Sequence, residues 1–300
     1  MHAPVDREES MAWLGALRAR GYSAEQPPFL TGRPDNCTVV ARTRTGVQVV
    51  AKLCPGRGER AFANMQRVWK SSFGERRASP GLPQPLDYLP EPGVLITEYI
   101  SGRPLAEGTT FSLTEGRRAI ELLAALHNSD AQPESRRSSR GIVRSAHRKA
   151  ERIAQLAPQF ADAARAVTAA IEAARVSDSE LCPSHGDFSP RNVLVSADRF
   201  TLIDWDRFRF ADPARDVAYF GISTWLARIR RGGLPDRALL DQAVDVYEAA
   251  RPAAHVRRQL RFHIAAGLLR IACSLVELWP TDAYLVPALM TVASNELAAK

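Results

Sequence analysis

The chain has 300 residues, 45% of them hydrophobic and 24% charged, and its formal net charge is +7. This composition is that of an ordinary soluble globular protein, and a chain of this length is expected to form two lobes. The positive charge is spread over many segments without a recognisable nucleic-acid-binding motif, so we expect no nucleic-acid partner.

The cysteines and the N-terminal sequence predict the cellular compartment of the protein. The four cysteines are far apart in sequence and form no CxxC pair, which favours a reduced compartment with neither a disulfide framework nor a zinc site. The N-terminus, MHAPVDREESMAW, has acidic residues where a signal peptide has basic ones. No run approaches the roughly 18 apolar residues of a membrane span. We therefore expect a cytoplasmic protein without a membrane partner.

The first hundred residues predict a small β-rich region. Hydrophobic spacing and β-branched runs predict, in chain order, a helix over 8–20, a hairpin of strands 38–42 and 47–53, a helix that begins at Gly58, and strands over 86–89 and 94–100. The second strand of the hairpin carries Lys52. Lysine at this place either binds an anionic ligand or is a solvated residue at a sheet edge.

The remainder predicts helices. The pattern favours a helix over 113–127, one long or two shorter Ala-rich helices over 150–176, and C-terminal helices over 214–229, 237–249, 254–278 and 282–298. Between them, 129–148 is rich in Ser, Arg and Gln, which predicts a mobile basic loop. Such a loop would be a solvated surface segment, part of an acceptor-site lid, or a segment that is phosphorylated.

The most informative stretch runs from His185 to Asp204. His185-Gly186-Asp187 is followed by Asn192 after four intervening residues, and two short apolar runs joined by a turn lead to Asp204. Asp187 can accept a proton from an attacking hydroxyl, while Asn192 and Asp204 offer oxygen atoms to Mg²⁺. Because the apolar runs predict a hairpin, we expect these side chains to form one site for phosphoryl transfer.

These residues, with Asp212-Pro213 and Asp216, resemble the motifs of the aminoglycoside phosphotransferase and choline kinase-like family. The resemblance covers about 31–247. It implies an α+β, bilobal protein-kinase-like fold, with a small β-rich N-lobe over 1–97, a hinge over 98–104, and a larger, mainly helical C-lobe over 105–300. It also implies that Asp216 and His185 are structural, with Asp212 as the N-cap and Pro213 as the first residue of the helix that carries Asp216.

The resemblance further implies how the nucleotide binds. Lys52 would contact the phosphates of ATP or GTP, with Glu59 as its ion-pair partner, although Glu75 is a rival and Glu59 can simply complement a helix N-terminus. Glu98 and Ile100 would contact the adenine through their backbone. The family's other expected site residues are Asp187 as the catalytic base and Asn192 and Asp204 as Mg²⁺ ligands. Alternation of side chains along an extended segment would aim Asp206 the same way as Asp204, which makes Asp206 a candidate ligand of a second metal ion.

Two loops set this chain apart from protein kinases. Residues 31–37 lack the GxGxxG pattern, so Arg33 and Asn36 are either phosphate contacts or part of an ordinary turn. Only seven residues, 205–211, separate Asp204 from Asp212, which leaves no room for a long activation segment. A small-molecule acceptor is therefore favoured over a protein substrate.

The resemblance predicts an ATP- and Mg²⁺-dependent phosphotransferase that acts on a hydroxyl of an aminoglycoside, a sugar or another hydroxylated metabolite. A non-catalytic nucleotide-binding interaction module and, less favoured, a protein kinase-like enzyme are the alternatives. The C-terminal helices mix acidic residues with more numerous arginines, so their sequence does not predict an acidic, aminoglycoside-type pocket. An aromatic cage of Trp225, Trp279 and Tyr284 would be needed for choline.

Overall fold

The structure is a computed structural model that describes residues 7–24, 29–30, 37–74, 81–106, 111–177, 180–197, 199–233, 237–252 and 255–299. The chain divides into two compact units. Unit 1 comprises Met1–Arg103, Asp130–Gln132 and Leu194–Phe208, and unit 2 comprises Pro104–Ser129, Pro133–Val193 and Arg209–Lys300. Residues 194–208 thus group with unit 1 although they follow 98–104 in sequence, and the boundaries proposed from the sequence stay a prediction.

Unit 1 is built on an antiparallel sheet. Its elements are α1 (Arg7–Ala19), β1 (Ser23–Ala24), β2 (Phe29–Leu30), β3 (Cys37–Arg42), β4 (Gln48–Leu53), α2 (Gly58–Trp69), β5 (Pro85–Leu89) and β6 (Val94–Glu98). The strand order is β1-β3-β4-β6-β5, with β2 also paired to β3. Trp13 and Leu17 of α1 pack against Val39, Val49 and Ile96 of the sheet, and these side chains form the core of the unit.

Unit 2 is mainly helical. Its helices are α3 (Leu113–His127), α4 (Ser139–Leu156), α5 (Ala161–Ala173), α6 (Ala214–Ile229), α7 (Arg237–Ala250), α8 (Val256–Leu278) and α9 (Val286–Ala298), with 3-10 turns at Pro158–Phe160 and Pro280–Leu285. Short strands complete the chain: β7 (Arg103–Pro104), β8 (Arg136–Arg137), β9 (Cys182–Ser184), β10 (Val193–Val195), β11 (Phe200–Leu202) and β12 (Arg209–Ala211). Two further sheets have the orders β11-β10-β7 and β8-β12-β9.

The predicted loop over 129–148 is wrong in its second half, because α4 begins at Ser139. Ser138 caps this helix by accepting a hydrogen bond from the backbone N–H of Gly141 at 3.1 Å. Ile142, Ala146 and Ile153 are buried on one face of the helix. The apolar residues needed for a helix were thus present, at helical spacing, within a segment that composition alone marks as a loop.

Helix α8 is long and apolar enough, by length and composition, to be a candidate membrane span, and 67% of its most apolar window is buried. It packs against α4, α6 and α9 within unit 2, as the core helix of a globular protein does. All four cysteines lie in the described part of the chain, where they are buried and form no disulfide.

Candidate active site

The loop that carries Asp187 is held by the chain on both sides of it. Strand β9 leads into Gly186, whose φ of 81° lies in the left-handed region that favours glycine. The backbone N–H of Gly186 donates to both carboxylate oxygens of Asp216, at 2.9 and 3.2 Å. Phe188 is fully buried and stacks on Phe220 of α6, with 5.3 Å between ring centroids. Asp187, between these anchors, is fixed in position.

Asp216 and His127 form a buried pair behind this loop. The Nε2 atom of His127 lies 3.3 Å from Asp216 and its Nδ1 atom lies 2.7 Å from the hydroxyl of Tyr247. Burial raises the pKa of Asp216, but the hydrogen bond and charge of His127 outweigh burial and lower it overall. Burial lowers the pKa of His127, yet neighbouring Cys182, Tyr247 and Asp216 raise it well above its usual value. Asp216 accepts the hydrogen bonds that hold the loop, so its expected structural role is confirmed.

Asp212 also contributes to the loop-to-helix junction. Its Oδ1 accepts a hydrogen bond from the backbone N–H of Ala214 at 2.8 Å. Helix α6 begins at Ala214, as in the predicted range 214–229, but its N-cap is Pro213 and not the expected Asp212.

Asn192 is 6% exposed and lies at the end of a 3-10 turn, Pro190–Asn192. Its Nδ2 donates to the backbone carbonyl of Asp187 at 2.9 Å, which fixes the amide group. This contact uses the donor side of the amide, so the oxygen is the atom suited to a hard cation such as Mg²⁺. Within the described ranges, no cluster of three or more His, Cys, Asp or Glu side chains is arranged to hold a metal ion.

Arg270 is the main site residue that the sequence did not single out. Its Nη2 atom lies 3.0 Å from Oδ1 of Asp187, and its guanidinium stacks over the ring of Tyr219 at 3.8 Å. Its side chain is 15% exposed. Burial lowers its pKa, but Tyr219 and Asp187 more than offset this and the pKa is raised. An arginine among the apolar residues of α8, the longest helix, is the sequence signal that could have identified it.

In unit 1, Lys52 and Asp204 come together although 152 positions separate them. The Nζ atom of Lys52 on β4 lies 2.9 Å from Oδ1 of Asp204, and the side chains are 21% and 34% exposed. Burial lowers the pKa of Lys52, but the charges of Asp204, Cys54 and Asp206 and the hydrogen bond to Asp204 together more than compensate, so the pKa is raised. This ion pair makes Lys52 a paired cation and not an edge lysine, while its contact with nucleotide phosphates stays a prediction.

The backbone at Asp204 is unusual. Asp204 has φ 71° and ψ 67°, a left-handed conformation that costs free energy in a non-glycine residue. The next residue, Trp205, is buried, its indole donates to the carbonyl of Leu202 at 2.9 Å, and its own carbonyl accepts from Nδ2 of Asn64 at 2.8 Å. Asn64, a buried polar residue on α2, was not recognised from the sequence. Together these contacts hold Asp204 in its strained conformation.

Two expectations around this pair need correction. Glu59 is exposed in the first turn of α2, and Lys52 pairs with Asp204, so the structure does not bring Glu59 to Lys52. Asp206 lies in a 3-10 turn, Trp205–Arg207, so the expected alternation of side chains along an extended segment does not occur. Glu75, Arg33 and Asn36 lie outside the described residues.

Glu98 and Ile100 follow one another at the end of β6. The backbone N–H of Glu98 donates to the carbonyl of Gln84 at 2.9 Å, and its carboxylate lies 3.3 Å from Arg199. Ile100 is partly exposed beyond the strand. At Gly102 a Cβ would lie 2.8 Å from the carbonyl oxygen of Val195, so this position requires glycine because of a close approach. Adenine binding here stays a prediction.

The site residues divide between the two units. Unit 1 holds Lys52, Asp204, Glu98 and Ile100, and unit 2 holds Asp187 and Asn192. The fold is kinase-like. Residues 33–253 match the model of the phosphotransferase enzyme family (APH), and the chain belongs to this family.

Solved structures agree with this assignment. The fold is similar to an aminoglycoside-3'-phosphotransferase of type VIII, with 20% identity, a TM-score of 0.60, and coverage of 86% of this chain and 97% of that one. It is similar to a choline/ethanolamine kinase family protein from Mesorhizobium loti, with 18% identity, a TM-score of 0.64, and coverage of 97% and 95%. A thermostable mutant of aminoglycoside phosphotransferase APH(4)-Ia gives 18% identity, a TM-score of 0.68, and coverage of 97% and 100%.

Comparison with curated protein sequences gives no significant match. At these identities the structural likeness establishes the fold, and the family supports small-molecule phosphotransfer without naming the acceptor. The expected α+β, kinase-like fold class and the expected family are confirmed.

Proposed function

We propose that this chain is a cytoplasmic enzyme that transfers the γ-phosphate of ATP or GTP, with Mg²⁺, to a hydroxyl of a small molecule. The observation that carries the proposal is the ion pair of Lys52 with Asp204, in which the Nζ to Oδ1 distance is 2.9 Å. A lysine on a strand and an aspartate that follows a hairpin are the groups that kinase-like enzymes use for phosphate and metal. A scaffold protein would have no need to hold Asp204 in a strained backbone conformation.

The residues fit a nucleotide and a metal ion. Bound Mg-ATP would supply the phosphoryl group, and its Mg²⁺ would neutralise negative charge on that group. Asn192 and Asp204 would offer oxygen ligands to the metal, and Lys52 would neutralise phosphate charge. The carbonyl of Glu98 and the N–H of Ile100 would orient the adenine.

Asp187 would orient the acceptor hydroxyl and take its proton. Because the transition state of phosphoryl transfer is loose, positioning of the two reactants supplies more of the acceleration than proton removal does. The hydrogen bonds of Gly186 and Asn192 to their neighbours serve this positioning, since they fix the backbone on both sides of the Asp187 carboxylate.

The test is a coupled ADP-release assay with Mg-ATP and a panel of aminoglycosides, sugars, sugar acids, sugar phosphates and amino alcohols. Asp187→Asn should lower turnover by roughly 10²- to 10⁴-fold while nucleotide affinity is retained. Asp162→Asn is the matched control, because Asp162 lies on α5 of the same unit with a fully exposed side chain. Nucleotide binding without turnover of any acceptor would favour the non-catalytic alternative, and equal turnover in the two variants would contradict the role of Asp187.

A further inference from the structure

Unit 2 contains a cleft of about 500 Å³, a volume that includes the solvent at its mouth. Four cationic side chains line it, each from a different element: Arg137 from β8, Lys149 from α4, Arg215 from α6 and Arg270 from α8. Among the described residues, those that line the cleft include no aspartate or glutamate. The cleft therefore concentrates positive charge from distant parts of the sequence.

Two of these cations have a buried donor without an acceptor. The Nη1 atoms of Arg215 and Arg270 are inaccessible to solvent and have no hydrogen-bond partner in the described part of the chain. A buried N–H group without a partner costs free energy, so native proteins leave few of them. Such donors beside a cleft indicate a ligand that accepts hydrogen bonds.

The cations in the cleft also destabilise one another. Burial, followed by the charges of Arg137 and Arg270, lowers the pKa of Lys149 to about 8. Burial, followed by the charge of Arg270, lowers the pKa of Arg215 to about 9. Both shifts have the direction expected where like charges share a site with too little negative charge. A bound anion would supply the missing charge.

The cleft adjoins the candidate catalytic carboxylate through Arg270. This side chain lines the cleft and at the same time places Nη2 at 3.0 Å from Asp187. Tyr219, which also lines the cleft, holds the guanidinium from one face. A molecule bound in the cleft thus lies next to the residue that holds Asp187.

The acidic residues of the C-terminal helices do not balance this charge. Several of them are engaged in exposed ion pairs: Asp245 lies 2.6 Å from Arg257, Glu277 lies 3.1 Å from Arg152, and Asp241 lies 3.8 Å from Arg237. None of the three lines the cleft. An aromatic cage for a quaternary ammonium is also not formed by Trp225 and Tyr284, since the former is fully buried and the latter is 65% exposed.

We propose that this cleft binds the acceptor and that the acceptor is a hydroxylated small molecule with an anionic group, a phosphate or a carboxylate. The inference rests on the proposed function, because it takes Asp187 as the base of phosphoryl transfer. Guanidinium and ammonium groups that converge on a cleft match the oxygens of phosphate and carboxylate. A polycationic acceptor would instead meet the like charges that line the cleft.

The first experiment measures binding without turnover. Inorganic phosphate and succinate are titrated separately into protein saturated with Mg²⁺ and a non-hydrolysable ATP analogue, which keeps the probes from the nucleotide residues, and calorimetry gives the Kd. Phosphate, succinate or both should bind, and the tighter probe identifies the anionic group. Lys149→Gln should weaken this binding about tenfold, as expected for loss of a charged hydrogen-bond donor.

Arg148→Gln is the matched control, since Arg148 is the exposed neighbour of Lys149 on α4 and loses the same charge. It should change the Kd less than about twofold, because exposed charges interact weakly. Arg137→Gln repeats the test at a second lining residue if Lys149→Gln lowers the melting temperature. Absence of binding to the wild type, or equal weakening by the lining and control variants, would overturn the inference.

A second arm distinguishes this inference from the proposed function. In the ADP-release assay, the acceptors with the highest kcat/KM should be sugar phosphates or sugar acids. An aminoglycoside, an amino alcohol or a neutral sugar as the best acceptor would overturn the anionic class while upholding phosphotransfer. If phosphate or succinate binds the cleft as expected but no acceptor is turned over, the anion site stands and the proposed function fails.

Discussion

The two units differ in how far their basic side chains are paired with carboxylates. In unit 1, Lys52 faces Asp204 and Arg199 faces Glu98, so basic groups beside the candidate nucleotide residues have carboxylate partners. In unit 2, Arg270 pairs with Asp187, but three further cations line the same cleft and two guanidinium nitrogens have no partner among the described residues. A balanced site suits a ligand that brings its own cation, as Mg-ATP does. An unbalanced site requires an anionic ligand, so the specificity of the protein should lie in unit 2.

The largest effect is expected when the carboxylate of Asp216, which holds the Asp187 loop, is removed. Asp216 is fully buried, and Asp216→Asn leaves the neighbouring His127 without its ionic partner. We expect the free energy of unfolding to fall by about 3–5 kcal/mol, the usual cost of breaking a buried ion pair. Urea denaturation measures it, with Asp162→Asn as the exposed control. A midpoint for Asp216→Asn equal to that of the control would contradict the scaffold role.

The pH dependence of the free energy of unfolding tests the same buried pair of Asp216 and His127. The pKa of His127 is raised in the folded protein, so the stability that its charge contributes is present below the ordinary histidine pKa of about 6.5 and is lost as pH rises from there through the raised pKa. The pKa of Asp216 is lowered, so its contribution is present above about 4 and is lost as pH falls through the lowered value.

The stability of the wild type should therefore decline from pH 6.5 into the alkaline range, and His127→Gln should remove part of this slope. Chemical denaturation at a series of pH values gives the comparison. A slope that is the same in both proteins would show that His127 is not charged in the folded state.

On the side of unit 1, Lys52→Met removes the partner of Asp204. Turnover should fall by roughly 10²-fold, as it does when one donor that stabilises transition-state charge is lost. Lys70→Met is the matched control, because Lys70 is an exposed lysine of the same unit, just beyond α2. Steady-state kinetics measure both. Turnover in Lys52→Met equal to that of Lys70→Met would leave Lys52 without a part in the reaction.

A smaller effect concerns the charge of the cleft. Lys149 titrates at a pKa of about 8 because of burial and the charges of Arg137, Arg270 and Arg148, partly offset by Cys273. A bound anion favours the charged lysine, so affinity for sulfate, whose own charge is constant over this range, should fall as pH rises from 7 to 9. The expected loss is at most about tenfold, since one charged contact is removed. Calorimetric titration of Lys149→Gln should show a smaller fall, which remains because Arg215, with a pKa of about 9, also loses charge near pH 9. A fall as large as that of the wild type would assign the effect to another group.

The smallest expected effect is at the start of α4. Ser138→Ala removes the side chain that accepts from Gly141 N–H and should cost about 1 kcal/mol. Ser138→Asp retains an acceptor and should cost less. Thermal unfolding of the two variants makes the comparison, and equal losses would show that the cap contributes nothing.

The sequence could predict what is local. Leu113–His127 was predicted to the residue, because its apolar residues recur at helical spacing. The structure adds a capping box of Ser112 and Glu115 at its start. The motif from His185 to Asp216 was recognisable because residue types and spacing are fixed together within one stretch. The contact between Gly186 and Asp216 then followed from the family's pattern.

The sequence could not predict contacts that depend on the tertiary arrangement. Arg137, Lys149, Arg215 and Arg270 are distributed over four elements, and their convergence on one cleft follows only when α4, α6 and α8 pack. Glu59 was chosen by its place on α2, yet the charge of Lys52 is balanced by Asp204 on a distant segment. The first half of α4 was predicted as a loop because its many basic and serine residues outweighed its apolar residues in the composition.

The most direct test of phosphotransfer is ³¹P NMR of a reaction that contains Mg-ATP and the best acceptor of the panel. The wild type should convert the γ-phosphate signal of ATP into that of a new phosphomonoester, at a rate that Asp187→Asn lowers and Asp162→Asn does not. Release of inorganic phosphate alone, or a new ester formed equally fast by Asp187→Asn, would contradict the account.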